Sequence, residues 1–150
     1  VVMRYGIKAE GPIHADRLAK LTAAAFDLQR VAGTRVRAIL AVAPSRPDSG
    51  GFYWPPDVNP LTWRIYRADA DAQRPLEHIS EIELANAMRE CCAEAHGMTE
   101  DELWTETLRV FGYKRRTAAS LSQLEAAFRT GIATGRLVKA ADHLILATGQ

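Results

Sequence analysis

The sequence predicts a mainly α fold with small β-wings, an α+β chain built from tandem winged-helix (helix-turn-helix) repeats. Two observations predict it. The chain resembles itself at an offset of eighty-five residues, and its second half reads helix, helix, helix and hairpin. Self-similarity at a fixed spacing indicates that one unit is used twice. A helix-turn-helix core followed by a hairpin is the order of a winged helix.

The repeat aligns residues 13–43 with residues 98–128 without a gap. Identical residues at this offset include Asp16 and Asp101, Leu18 and Leu103, Thr22 and Thr107, Phe26 and Phe111, and Arg30 and Arg115. Apolar residues also align, as in Ile39 with Leu124. Both phenylalanines, and both members of the second pair, are therefore predicted to point into equivalent cores.

The first repeat is predicted to span residues 1–57. Residues 14–26 and 35–43 carry apolar side chains at spacings of three and four, which is typical of helices. Residues 52–54 (FYW) are predicted to be a short strand. Residues 1–10 suggest only the tail of a helix or an incoming strand, so the first helix is predicted to be truncated.

Residues 58–78 are predicted to be a connector with a possible strand. Within it, residues 61–67 (LTWRIYR) have the β-branched and aromatic content of a strand, and prolines bracket them. This strand is expected to add to the sheet of one unit.

The second repeat is predicted to span residues 79–150. Ser80 and Thr99 each precede a helical pattern and have a glutamate three residues on, which is a capping-box signature. A third helix is predicted over residues 117–134, and a hairpin over residues 136–146. The predicted core of this unit is Leu103, Phe111, Leu124 and Phe128, and the hairpin is expected to pack on the helices through Leu137, Leu144 and Leu146.

Charge is segregated along the chain, although its formal net value is only +1. Residues 77–106 hold nine acids and one base, whereas residues 109–139 hold seven bases and one acid. Residues 29–46 hold four arginines and no acid. The basic part of each repeat is therefore the turn and the third helix, where a helix-turn-helix contacts DNA.

These positions give the predicted nucleic-acid-binding residues. Basic residues in the turn, on the third helix and on the hairpin would hold the DNA phosphates. Polar residues on the outward face of the helix would reach the DNA groove. The predicted residues are Arg30, Arg35, Arg37, Lys114, Arg115, Arg116, Ser120, Gln123, Arg136 and Lys139. A plainer interpretation is that such basic runs are solvated caps or pair with the acidic helices before them.

Several other functions are not expected. Phosphate-binding glycine loops, nucleophile elbows and dinucleotide fingerprints are missing from the sequence, so no catalytic site and no cofactor are predicted. The histidines lack metal-ligand spacing, so no metal site is predicted. Cys91 and Cys92 are adjacent in a helical pattern, which favours reduced thiols and a cytoplasmic protein. Trp54, Trp63 and Trp104 could stack on bases, but core or interface positions are favoured.

Five stretches resemble a bacterial domain-of-unknown-function family. They are residues 10–14 (EGPIH), 30–36 (RVAGTRV), 51–55 (GFYWP), 74–79 (RPLEHI) and 111–115 (FGYKR). That family lies near the C-terminal end of large proteins related to superfamily I DNA helicases, many with a nuclease-like domain nearby. The resemblance implies that helicase or nuclease chemistry belongs to other domains of a parent protein, and that these domains are partners of this one.

The resulting expectation is a non-catalytic module that binds nucleic acid, most simply duplex DNA, within a helicase-related protein. The alternative is a protein–protein or intramolecular docking module whose basic faces meet acidic partners. Winged helices serve both purposes, and the fold alone does not decide between them.

Overall fold

A computed structural model of the chain describes residues 1–26 and 33–149. It contains two compact units, Val1–Asn59 and Pro60–Gln150. The described residues form six α-helices and two small antiparallel sheets, so the predicted α+β class is confirmed. None of the helices in this part of the chain combines the length and apolar character that a membrane crossing needs.

The first unit runs helix, strand, helix, helix, strand. Its elements are α1 Val2–Glu10, β1 Ile13–His14, α2 Ala15–Ala25, α3 Gly33–Leu40 and β2 Phe52–Tyr53. The two strands are antiparallel, with Ile13 opposite Tyr53. A nine-residue α1 stands where the sequence predicted only the tail of a helix or a strand.

The core of the first unit explains why α1 forms. Met3 and Ile7 lie one helical turn apart and are buried together with Ile13, Leu18 and Tyr53. Residues four apart on a helix share a face, so α1 lays that face on a cluster drawn from β1, α2 and β2. Tertiary packing of this kind stabilises a helix that is too short to persist alone.

The second unit runs helix, helix, helix, hairpin, as predicted. Its elements are α4 Glu81–Ala95, α5 Glu100–Val110, α6 Ala118–Ala133, β3 Leu137–Lys139 and β4 Ile145–Ala147. A short 3-10 helix, Leu76–His78, precedes them. The two strands form the predicted antiparallel hairpin.

Each helix of the second unit begins at a hydroxyl cap. The side-chain oxygens of Ser80, Thr99 and Thr117 accept hydrogen bonds from backbone N–H groups three residues on. Such caps satisfy N–H groups that the helix itself leaves unpaired, and each is worth about 1 kcal/mol. The starts predicted at Ser80 and Thr99 are therefore confirmed.

The backbone follows the offset of eighty-five closely. Adding eighty-five to the bounds of α2 gives those of α5, and α3 and α6 begin at equivalent residues. Ile13 pairs with Tyr53 in the first unit, and its counterpart Met98 forms an isolated bridge with Ile145 in the second. Leu18 and Leu103 are both fully buried.

The side chains of Phe26 and Phe111 do not follow the eighty-five-residue repeat. Phe111 is fully buried, whereas Phe26 is 67% exposed, so the prediction that both point inward is wrong. Phe111 belongs to a cluster that includes Leu76 and Ile79, which precede α4. Both phenylalanines still cap the C-terminal end of their helix.

The predicted core of the second unit is largely confirmed. Leu103, Phe111 and Leu124 are fully buried, and Phe128 is partly buried against them. Trp104 is also buried, and its ring meets that of Phe128 edge to face with centroids 5.6 Å apart.

The hairpin packs through different residues from those predicted. Leu137 is buried as expected, but the buried residue of the second strand is Ile145, and Leu144 and Leu146 are only partly buried. Ile145 also pairs with Met98, which draws it toward the start of α5. Side chains alternate along a strand, so burying Ile145 turns its two neighbours the other way.

The predicted strand over residues 61–67 does not form. Its backbone groups bind side chains of α4 instead of another strand. The backbone N–H of Arg67 donates to Oε2 of Glu83, and the Asn86 side-chain amide donates to the carbonyls of Trp63 and Ile65. Because these groups are already satisfied, the segment needs no sheet partner.

Glu83 is the anionic centre of this arrangement. Its carboxylate is fully buried and lies 2.6 Å from Nη2 of Arg67 and 2.7 Å from Nη2 of Arg74. Burial alone raises the pKa of Glu83, but hydrogen bonds from Arg74 and Arg67 outweigh burial and hold that pKa below its ordinary value. The carboxylate is therefore ionised at neutral pH and joins the extended segment to α4.

Truncation of the two aligned phenylalanines should have opposite consequences. Phe111→Ala should lower the free energy of unfolding by about 3–5 kcal/mol, because it leaves a cavity in the core. Phe26→Ala, the matched control at the equivalent backbone position, should change it by less than about 0.5 kcal/mol. Urea denaturation at pH 7 measures both. Equal losses would contradict the assigned cores.

Acid should act on the second unit through Glu83. A lowered folded-state pKa contributes stability above the unfolded value of about 4.5, and that stability is lost as pH falls through the folded-state pKa. Glu83→Gln should cost about 3–5 kcal/mol at pH 7, because two arginines lose their partner. It should also flatten the decline in stability as the pH falls below about 4.5. The exposed Glu94→Gln is the control, and parallel pH profiles for Glu83→Gln and the wild type would refute this role.

Candidate nucleic-acid interface

In the first unit the predicted basic residues lie on α3. The side chains of Arg35 and Arg37 are exposed, and neither forms an ion pair or a side-chain hydrogen bond with any described residue. Arg30 lies outside the described residues. The third helix of this unit therefore presents two cations, Arg35 in its first turn and Arg37 in its last, that no described residue neutralises.

In the second unit the predicted basic residues in the turn before α6 differ in whether an acidic residue pairs with them. Lys114 and Arg115 are exposed, and neither pairs with a described residue. Arg116 is held by α5, because its Nη1 lies 2.7 Å from Oδ1 of Asp101 and its Nη2 donates to Oγ1 of Thr105. This turn therefore presents two available cations and one that a carboxylate already neutralises.

The two polar residues predicted on α6 serve the fold. Ser120 completes the capping box with Thr117, in which each hydroxyl accepts a backbone N–H of the other residue. The side-chain amide of Gln123 donates to the carbonyls of Leu76 and Ile79. Both side chains thus have intramolecular partners at the positions where base contacts were predicted.

The outward face of α6 carries little positive charge. Arg129 is its one exposed base among the described residues, and Glu125 lies one turn before it. The other exposed residues on this helix are Ala118, Ala119, Ser122, Ile132 and Ala133. Apart from Arg129, the described part of this surface lacks the long polar donors that read base edges in a major groove.

The two bases predicted on the hairpin differ completely. Lys139 is exposed on β3, and its Nζ lies 3.1 Å from Oε1 of Glu100. Arg136 was expected near the exposed edge, and this expectation is wrong because its side chain is fully buried. It therefore does not reach a ligand at the surface.

Arg136, which directly precedes β3, holds the segment that begins at Pro60 through hydrogen bonds from its guanidinium. Its Nε donates to Oδ1 of Asn86, and its Nη2 donates to the carbonyls of Pro60 and Trp63. Burial, with smaller contributions from the positive charges of Arg64 and Arg89, lowers the pKa of Arg136 to about 10. The guanidinium is still charged at neutral pH and acts as a structural donor.

A cleft beside the turn concentrates the basic groups of the second unit. It has a volume of about 620 Å³ and is lined by Thr105, Leu108, Arg109, Tyr113, Lys114 and Arg116. No carboxylate of the described residues lines this cleft, although Arg109 pairs with Glu106 and Arg116 with Asp101 at its edges. A phosphate oxygen here would meet an uncompensated ammonium at Lys114.

Two further exposed cations were missed in the sequence. Arg4 and Lys8 lie one turn apart on α1, and neither pairs with a described residue. The spacing of four was visible in the sequence and would have placed both on one helical face. It carried no weight because residues 1–10 were not predicted as a complete helix.

Comparison of the chain with models of known protein families, with curated proteins and with solved structures finds no match. The ligand of this surface must therefore be inferred from its own side chains.

Replacing Arg136 and Lys139 by the same residue should separate a structural from a surface base. Arg136→Met should lower the free energy of unfolding by more than about 2 kcal/mol, because the buried Asn86 oxygen and the partly buried carbonyl of Pro60 lose the guanidinium as a donor. Lys139→Met should cost less than about 1 kcal/mol, because its ion pair is exposed. Urea denaturation compares them, and equal costs would contradict the buried position of Arg136.

Proposed function

We propose that this chain is a non-catalytic, tandem winged-helix module that binds nucleic acid, with duplex DNA as its main ligand. The observation that carries the proposal is a pair of exposed basic residues in each unit that pair with no described residue, on the third helix of the first unit and in the turn before the third helix of the second. These bases are Arg35 and Arg37 in the first unit, and Lys114 and Arg115 in the second.

The order of elements supports the winged-helix part of this proposal. Each unit has a helix, a short β segment, two more helices and a C-terminal strand that pairs back to the β segment. In a helix-turn-helix the junction between the second and third helices lies against the DNA backbone. Basic side chains near that junction favour contacts with DNA phosphates.

The proposed binding is largely independent of sequence. Phosphate contacts position a protein on DNA, whereas base contacts specify the site. The exposed face of α6 offers small and apolar side chains, and Ser120 and Gln123 already have intramolecular partners. We therefore expect the weak affinities of non-specific binding, about 10⁻⁴–10⁻⁶ M at physiological salt.

A docking role is a second candidate, and one observation favours it. A groove of about 550 Å³ runs between α6 and β3, lined by Phe128, Ile132, Ala133 and Val138 with charged residues at its rim. Ile132 and Val138 are 39% and 43% exposed. Such a groove could receive another domain of the helicase-related parent that the family resemblance implies.

A salt titration with duplex DNA tests the proposal. Arg35→Gln/Arg37→Gln and Lys114→Gln/Arg115→Gln should each weaken binding to all sequences alike. Each should also reduce the slope of log affinity against log salt by roughly two, or about 0.9 for each phosphate that the variant no longer neutralises. Fluorescence anisotropy of a labelled duplex between 50 and 200 mM salt (about the range over which such binding weakens strongly) measures both quantities.

The matched control is Arg4→Gln/Lys8→Gln, which also removes two positive charges but lies on α1. It should leave the duplex slope unchanged. An equal reduction by all three variants would indicate a general charge effect and contradict the proposed interface. No duplex binding at low salt by the wild-type protein would favour the docking role.

A further inference from the structure

The first unit contains a pocket that none of the predicted interface residues lines. Its volume is about 480 Å³, within the range of about 300–1,000 Å³ typical of small-molecule sites. It is lined by Arg4, Ile7, Lys8, Pro44, Ser45, Trp54, Pro56 and Asp57. All of these residues belong to the first unit.

The wall of this pocket is flat and rigid. The ring of Trp54 is half-buried, and its Nε1 donates to Oδ2 of Asp48 at 2.9 Å. The other carboxylate oxygen of Asp48 accepts the backbone N–H groups of Gly50 and Phe52. The loop carboxylate therefore fixes the orientation of the indole, and Pro44 and Pro56 add surfaces that cannot rotate.

The rim of the pocket carries positive charge. Arg4 and Lys8 are exposed, lie one turn apart on α1 and form no ion pair with a described residue. Asp57 is the one acid among the lining residues. The two cations favour an anionic ligand, and the indole and proline faces favour a planar one.

We infer that this pocket binds one unpaired nucleotide of a single-stranded nucleic acid, with the base stacked on Trp54 and the phosphate at Arg4 and Lys8. Stacking on an aromatic side chain tolerates any base, because every base has a π face. The inference rests on the proposed nucleic-acid binding and extends it. A module with this pocket would prefer DNA that carries a single-stranded segment beside the duplex.

The fluorescence of Trp54 provides the test, with a ten-nucleotide oligo(dT) as the probe and the full chain as the protein. The oligonucleotide should quench tryptophan emission, and Trp54→Phe should remove that quenching. Trp63→Phe, a partly exposed tryptophan of the second unit, is the matched control and should retain it. Quenching that persists in Trp54→Phe would overturn the inference.

Affinity separates stacking from charge. Trp54→Leu should weaken oligo(dT) binding by about tenfold or more, as expected when one stacked base loses its aromatic partner. Arg4→Gln/Lys8→Gln should weaken it as well, and should lower the salt slope by about 0.7 for each phosphate of the single strand that is no longer neutralised. This second variant alters only the surface of α1, so it remains informative if Trp54→Leu does not fold. Unchanged affinity in Arg4→Gln/Lys8→Gln would overturn the inference.

Two more probes identify the source of the ligand and separate this inference from the proposed duplex binding. Thymidine monophosphate that binds as tightly as the oligonucleotide would reassign the pocket to free nucleotides and overturn the inference. The pocket variants should leave duplex affinity unchanged, whereas Arg35→Gln/Arg37→Gln should reduce it. Quenching by oligo(dT) without any duplex binding would support the pocket and reject the duplex interface. Duplex binding without quenching would support the duplex interface and reject the pocket.

Discussion

The second unit depends on two buried polar side chains of α4, Glu83 and Asn86, which lie one turn apart. Glu83 accepts hydrogen bonds from Arg67 and Arg74, and Asn86 binds backbone carbonyls and accepts a hydrogen bond from Arg136. Each partner is itself buried or half-buried, so removing one would leave another unsatisfied in a region of low dielectric. Together they hold residues 63–67 against α4 without a sheet.

This attachment has a consequence for the core. The segment leads into the short 3-10 helix. Leu76, which begins that helix, and Ile79, which follows it, belong to the cluster around Phe111. Tyr113 strengthens the same region, because its hydroxyl donates to the carbonyl of Arg74. Polar contacts on one side of the segment thus position apolar contacts on the other. In the first unit the equivalent Phe26 is exposed.

The sequence was informative wherever the cause of the structure was local. The helices that begin after Ser80 and Thr99 were predictable because a hydroxyl before a helical pattern specifies a start, although Glu83 binds Arg67 and Arg74 and does not close the predicted capping box. It was uninformative where a distant group decided the outcome. Residues 61–67 have the composition of a strand, but α4 satisfies their backbone from about twenty positions away. Ile145 is buried because it pairs with Met98, which no alternation within β4 could reveal.

The candidate site shows the same limit for charge. Counting bases along residues 109–139 correctly located a basic stretch, but a count does not distinguish a structural guanidinium from an available one. Arg136 is buried, Arg116 and Lys139 are paired with acids, and Gln123 binds carbonyls of the preceding segment. The first unit keeps more of its bases free of described partners: Arg4, Lys8, Lys20, Arg35, Arg37 and Arg46. Phosphate attraction falls with each basic residue that is already neutralised. Because Arg4 and Lys8 are assigned to the single-stranded site, the first unit should contribute more of the affinity for single strands, although the second unit has the larger basic stretch in sequence.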